Sequence, residues 1–121
     1  SRCNEGMTVI RYGNKYYMTY CAGHYADPDY SIGYAIADSP TGPWIKPADN
    51  PILRSDSTLG VFGPGHNSIT LSRNGKEYII VYHTHISGTD KNRTVNIDRL
   101  IIDRNGQMKV SGPTRSRQPL P

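Results

Sequence analysis

The sequence predicts an all-β protein built from four-stranded antiparallel sheets. Two observations carry that expectation. Apolar and polar residues alternate with a period of two over short runs, and dipeptides of Gly and Asn separate those runs. A third observation adds repetition: the same order of pieces returns after about sixty residues, a period in the range of propellers and other arrays.

The first unit reads as strands over Met7–Tyr12, Tyr16–Ala22, Ser31–Asp38 and Trp44–Lys46. Gly13-Asn14 supplies the positive φ that a tight hairpin needs, and Thr41-Gly42 makes a later turn. In the third strand Ile32, Tyr34 and Ile36 face one way. Ser31, Gly33, Ala35 and Ala37 face the other, a small face on which another sheet is expected to pack closely. Trp44 reads as an outer-strand anchor. The second unit reads as Asn67–Ser72, Glu77–His85, Val95–Asp103 and Gln107–Val110, with turns at Asn74-Gly75 and Asn105-Gly106. Tyr78, Ile80 and Tyr82 oppose Ile79 and Val81, the pattern of a strand buried on both faces. No stretch has a helical period. The expected organisation is a partial β-propeller over 1–121, incomplete in this chain. Its blade-like units cover approximately 5–47 and 65–112, and a linker, 48–64, joins them.

Bulk properties narrow the function classes. The chain has 121 residues, which suits one small domain, and a net charge of +4. Its Lys and Arg residues are scattered, apart from Arg115 and Arg117, so a basic stripe for nucleic acid is missing. No apolar run has the length of a membrane span, and no signal-peptide pattern opens the chain. Ser1 is not a natural start, so upstream sequence is expected to have been removed. Nine Tyr stand against one Phe and one Trp, a bias that suits strands and surfaces that touch sugars or partners. Cys3 and Cys21 either pair, which implies an oxidising compartment, or remain free thiols.

Strand direction sorts the loops. The entry to the first strand of a unit and the loop after its second strand share one edge. Glu5, His24, Tyr25, His66, His85 and Asp90 are expected to crowd that edge. Inner strands line the axis of a propeller, so Glu5 and His66 are expected at its mouth. Asn4-Glu5-Gly6 and Gly63-Pro64-Gly65-His66-Asn67-Ser68 place one ionisable residue at the head of each first strand. His83 and His85 are two apart and face the same way, but a third ligand at matching spacing is missing, so they read as surface or supporting histidines. Asp27-Pro28-Asp29 reads as a capped turn.

Five pieces, in order, carry a resemblance. They are Asn4-Glu5-Gly6-Met7; Lys15-Tyr16-Tyr17-Met18-Thr19-Tyr20-Cys21-Ala22-Gly23; Tyr30 through Ala35 with Asp38-Ser39-Pro40-Thr41-Gly42-Pro43-Trp44; Gly63 through Ser68; and Asn96-Ile97-Asp98-Arg99-Leu100. Together they span most of the chain, which resembles glycoside hydrolase family 43, the five-bladed propeller arabinanases, β-xylosidases and arabinofuranosidases. The resemblance implies inverting hydrolysis of arabinose- or xylose-containing saccharides of the plant cell-wall type. It implies three carboxyls: an Asp base, a Glu acid and an Asp that tunes the acid. Only the acid has a counterpart here, Glu5, and a general acid needs a raised pKa. The other two are expected upstream, so this chain looks like the last two blades of five.

The resemblance also implies that His66 lies near a Ca²⁺ or Na⁺ on the axis, shared with waters because hard cations prefer oxygen. Arg93 is expected to reach the sugar or orient a carboxylate, a bidentate role that suits Arg. His85 and His24 are expected to border the sugar, and Tyr25 to stack on it. Secretion, or export to a periplasm, is expected. So is either self-association or docking onto missing blades, because repeat units need neighbours to cover their faces. The alternative function is a non-catalytic propeller fragment that binds carbohydrate or a protein.

Overall fold

The computed structural model describes residues 3–25, 27, 29–85 and 92–118. Among them every regular element is a strand. The order is β1 (Cys3–Tyr12), β2 (Lys15–Gly23), β3 (Ser31–Ala37), β4 (Phe62–Leu71), β5 (Tyr78–His85), β6 (Arg93–Ile102) and β7 (Met108–Val110). They form two antiparallel sheets, β1-β2-β3 and β4-β5-β6-β7.

The hairpins sit where the turn dipeptides stand. Tyr12 pairs with Lys15 across Gly13, whose φ is 61°. Gly75 and Gly106 also have positive φ, 71° and 78°, in the two turns of the second sheet. Only a residue without Cβ takes such a backbone without strain.

The first sheet lacks the expected fourth strand over Trp44–Lys46. In its place three separate contacts cap the free edge of β3. Ile45 and Ile36 exchange backbone hydrogen bonds of 2.8 and 2.9 Å. The Asn50 side chain imitates a strand: Nδ2 donates to Tyr34 O at 2.9 Å, and Oδ1 accepts from Tyr34 N at 2.7 Å. Ile32 N donates to Leu53 O at 2.9 Å. The physical reason is proline. Pro43, Pro47 and Pro51 have no N–H to give, so no continuous ladder can run through this stretch. Trp44 is half-buried against Gly42 rather than part of the central core.

The core lies between the sheets. Tyr17, Ile32, Tyr34 and Leu53 meet Ile80, Tyr82, Leu100 and Met108. The packing of β3 is therefore the reverse of the expected one. Its large face, Ile32 and Tyr34, turns toward the second sheet. On its small face the Tyr20 ring from the neighbouring strand lies over Gly33, with Asn50 beside it. Across an antiparallel pair an aromatic ring fills the hollow that a facing glycine leaves.

The core Tyr residues keep their hydroxyls satisfied. Tyr17 Oη donates to Gly106 O at 2.9 Å, Tyr34 Oη to Asp49 Oδ1 at 2.9 Å, and Tyr82 Oη to Asp98 Oδ2 at 2.5 Å. Burial, then the bond to Asp49, pushes the Tyr34 phenol up to about 12. Asp98 is itself buried, and it also accepts from Thr114 Oγ1 at 2.5 Å and Thr114 N at 3.2 Å. Gly112 leaves room for that carboxylate; a Cβ there would collide with it. Asp98 thus ties the C-terminal segment to β6. Replacing it, Asp98→Ala, leaves the buried Tyr82 hydroxyl and the Thr114 N–H without an acceptor. The expected loss is roughly 3 kcal/mol of stability. A denaturant titration measures it, and faster amide exchange at Thr114 shows release of the tail.

Candidate functional site at the paired bulges of β1 and β4

β1 and β4 are the first strands of their sheets, and they pack against one another. Each is bulged where it carries its ionisable residue. In β1 the register shifts between Glu5 and Thr8, around Gly6 with φ 61°. In β4 it shifts between Phe62 and Gly65 and again between Gly65 and Ser68, with Gly63 at φ 56° and His66 at φ 46°. His is among the few side-chain-bearing residues that visit this region. Bulges re-aim side chains, and they recur near active sites. The strands start earlier than the sequence pattern suggested. Glu5 and His66 therefore lie inside the bulged halves of β1 and β4, not in entry loops.

The two bulges touch. A Cβ added at Gly6 would stand 3.4 Å from His66 Cα and 3.2 Å from Cys21 Sγ. Cys21 is a buried free thiol on β2, and its sulfur accepts the His66 backbone N–H. Thr8 Oγ1 donates to Asn67 O at 3.0 Å, and Thr19 Oγ1 donates to Asn67 Oδ1 at 2.6 Å. Side chains and backbone from β1, β2 and β4 thus form one polar seam, and Glu5 and His66 come to the same place on it.

The glycines of Gly63-Pro64-Gly65 act as sockets for rings. The Tyr30 ring fills the space where a Gly65 Cβ would be. The His85 ring lies on Gly63, with Cδ2 only 2.7 Å from an added Cβ. Tyr30 is buried, and its hydroxyl donates to Glu5 Oε1 at 3.0 Å. Its ring lies over the His83 imidazole, centroids 6.4 Å apart and planes at 18°. His83 meets His85 edge-on at 5.7 Å. His85 Nε2 lies 2.8 Å from Tyr25 O; a carbonyl only accepts, so Nε2 carries the proton. Tyr25, exposed, stacks with His24 at 4.7 Å and lies under the Arg93 guanidinium at 5.6 Å.

One continuous row therefore connects Glu5 to Arg93 through Tyr30, His83, His85 and Tyr25. Glu5, His24, Tyr25 and Arg93 are exposed along it, whereas His85 is only 3% exposed and acts from beneath. His66 is exposed beside Gly6. Asp90 lies outside the described residues. Sequence reasoning missed Tyr30, Cys21 and the buried part of His83. Nothing in their spacing marks them, since Tyr30 reaches Glu5 across twenty-five residues. The one available signal was Gly65, a glycine in a strand, which indicates that another group approaches closely.

The donor set around His66 is small. Among the described residues no group of three His, Cys, Asp or Glu side chains could hold a metal ion. His66 offers one imidazole, so the residues present fit a cation only as a largely hydrated ion.

The family is decided by comparison. A family model described as glycosyl hydrolases family 43 matches residues 1–108. The chain belongs to that family. It is 33% identical over 117 residues to an extracellular exo-α-(1→5)-L-arabinofuranosidase of Streptomyces avermitilis, covering 87% of this chain and 24% of the relative. It is 32% identical over 106 residues to a β-D-galactofuranosidase of Aspergillus niger, covering 86% and 30%. Among solved structures, a thermostable family-43 glycoside hydrolase shares 55% identity at a TM-score of 0.88, over 98% of this chain and 38% of that one. An endo-1,4-β-xylanase of Bacteroides thetaiotaomicron shares 32% identity at 0.84, over 92% and 38%. The family 43 chain described here thus spans between about a quarter and two-fifths of the length of these proteins.

The histidine row sets a pH dependence. Burial, followed by the charges of Arg93, His85 and His66, pushes His83 down to about 4. Its folded pKa lies below the ordinary histidine value, so between about 6.5 and 4 the unfolded chain binds more protons. The stability contributed by neutral His83 is present above about 6.5 and is lost as pH falls through that window. Unfolding midpoints measured from pH 7 to pH 4 should fall, and His83→Phe, which keeps a ring over Tyr30, should flatten the decline.

Proposed function

We propose that the protein carrying this chain is an inverting glycoside hydrolase that acts on arabinose- or xylose-containing polysaccharides or oligosaccharides, and that Glu5 is its general acid. The observation that carries the reading is the Glu5 carboxylate itself. It is exposed on the β1 bulge, held by one oxygen, and joined to the exposed Tyr25, His24 and Arg93 through the row of Tyr30, His83 and His85. Family membership and the relatives' names, arabinofuranosidase and xylanase, support the substrate class.

In this reading Tyr25 offers a flat ring to a pentose face, and Arg93 over it offers a fork of donors to sugar oxygens. His24 borders the same rim, and His85 fixes the Tyr25 backbone from below. Glu5 gives its proton to the glycosidic oxygen as the bond breaks. A carboxylate base, about 6.5–9.5 Å away in an inverting site, takes the proton of the attacking water. That base would come from outside the two sheets described here. His66 would hold one position of a hydrated Ca²⁺ or Na⁺, whose charge would organise water at the mouth. The relatives include enzymes named as extracellular, which supports secretion.

A second reading has one observation in its favour: the chain spans less than two-fifths of the length of these relatives. On that reading it binds saccharide without cleaving it.

Assays of the full-length protein on aryl arabinofuranosides and aryl xylosides separate the two. Turnover supports the hydrolase; binding without turnover supports the second reading. For the hydrolase, Glu5→Gln should lower kcat by roughly 10²–10⁴ on substrates whose leaving oxygen needs a proton. Undiminished activity in that variant would overturn the acid assignment.

The partner reading rests on exposed apolar residues of the two first strands, Met7 at 57%, Val9 at 45% and Leu71 at 51%. Repeat units bury such faces against neighbours. The 121-residue chain expressed alone should self-associate in sedimentation experiments, and a stable dilute monomer would count against this.

A further inference from the structure

We infer that Tyr30 is a positioning residue for the acid: its hydroxyl fixes Oε1 of Glu5, so that the transferable proton resides on Oε2 and faces the substrate. The inference rests on the reading of Glu5 as general acid and goes beyond it.

The geometry leaves Tyr30 little freedom. Its ring is 1% exposed, seated in the Gly65 socket and stacked over His83. Its backbone N–H donates to Asp27 O at 3.1 Å, which fixes the chain where it enters β3. The hydroxyl at the end of this rigid body stands 3.0 Å from Glu5 Oε1. Glu5, by contrast, is an exposed side chain on a bulge. An unrestrained glutamate has several rotamers, and ordering them costs conformational entropy. Tyr30 supplies that order from a buried, packed position.

The hydroxyl can act only as a donor toward the carboxylate. Burial, then the Cys21 thiol and Glu5, push the Tyr30 phenol far above its ordinary value, so it keeps its proton. A carboxyl oxygen that accepts this hydrogen bond is not the one that carries the acid's proton. Oε2 is left, and among the described residues it has no hydrogen-bond partner. In the reaction the Oε2–H bond breaks and the proton passes to the glycosidic oxygen. The electron pair of the broken C–O bond stays on that oxygen. Water adds to the anomeric carbon and loses its proton to the carboxylate base. Glu5 ends as a carboxylate, and the Tyr30 hydrogen bond, now to a full anion, strengthens as that charge develops. Tyr30 thus helps most when the leaving oxygen is a poor one.

The test is Tyr30→Phe in the full-length protein, with kcat and KM measured on two pentosides of the same sugar. One has a strongly activated aryl leaving group that departs without a proton. The other has an alkyl or sugar leaving group. The expected result is a loss in kcat of roughly tenfold on the second, near-unchanged kcat on the first, and unchanged KM on both. Gly65→Ala, which displaces the ring but keeps the hydroxyl, should show the same split. Glu5→Gln should show a larger split, and adding Tyr30→Phe to it should cause no further loss.

Equal losses on both substrates would mean that Tyr30 only supports the fold, and they would overturn the inference. So would wild-type kinetics in Tyr30→Phe while Glu5→Gln shows the split. If Glu5→Gln shows no split, the acid reading falls and takes this inference with it, so the two failures are distinguishable.

Discussion

The close approach of β1 and β4 is the constraint on which the site depends. Two sheets with ordinary side chains at the contact would stand farther apart, and the space between them would fill with Cβ atoms. Here Gly6 lies against the His66 backbone, and Gly65 receives the Tyr30 ring. A Cβ at Gly65 would overlap the Tyr30 ring, and one at Gly6 would press on Cys21 Sγ at 3.2 Å while meeting the His66 backbone at ordinary contact distance. The Thr8–Asn67–Thr19 hydrogen bonds then hold the seam at that distance. Because the seam is polar and buried, leaving it half-made costs more than making it, so the two bulges are set in one arrangement. The relative placement of Glu5 and His66 follows from that arrangement, not from the strands on which they sit.

Tyrosine does the work that Phe and Leu do in most cores. Tyr17, Tyr20, Tyr30, Tyr34 and Tyr82 are all buried. Buried Tyr needs a partner for its hydroxyl, and four of these five have one: Gly106 O, Glu5, Asp49 and Asp98. Three of these partners are carboxylates from distant parts of the chain. Counting the bonds of Asp98 to Thr114, each carboxylate ties in a segment that the sheets alone do not hold. Asp49 ties the linker to β3, Asp98 ties β5 and the tail to β6, and Glu5 is tied to the residue that precedes β3. The Tyr-rich composition reads in the sequence as a surface suited to sugars. The structure gives most of that surface to the interior and leaves Tyr25 as the ring at the rim of the candidate site.

The strands of both sheets were legible because their causes are local. Gly13, Gly75 and Gly106 mark hairpins that any positive-φ argument finds, and Tyr78–Tyr82 alternates plainly. The exception, Trp44–Lys46, has strand-like residues but stands between Pro43 and Pro47, and the prolines decide. The facing of β3 was misread for a different reason. Alternation shows that two faces exist, but not which one meets the other sheet. Large residues turn toward the second sheet, and the Tyr20 ring and the Asn50 side chain cover the opposite face at Gly33.

The same division runs through the candidate site. The residue types, the two glycine-rich bulges and the family membership are all properties of the 121-residue sequence read in order, because each depends on residues adjacent in the chain. The row from Glu5 through Tyr30, His83, His85 and Tyr25 to Arg93 was decided only in three dimensions. Two of its links join residues twenty-five and sixty positions apart, through a phenol bond to a carboxylate and an imidazole bond to a carbonyl. Such links depend on how far two sheets can close on one another, and that approach needs the absence of a Cβ at Gly65, a fact without periodicity for a sequence to display.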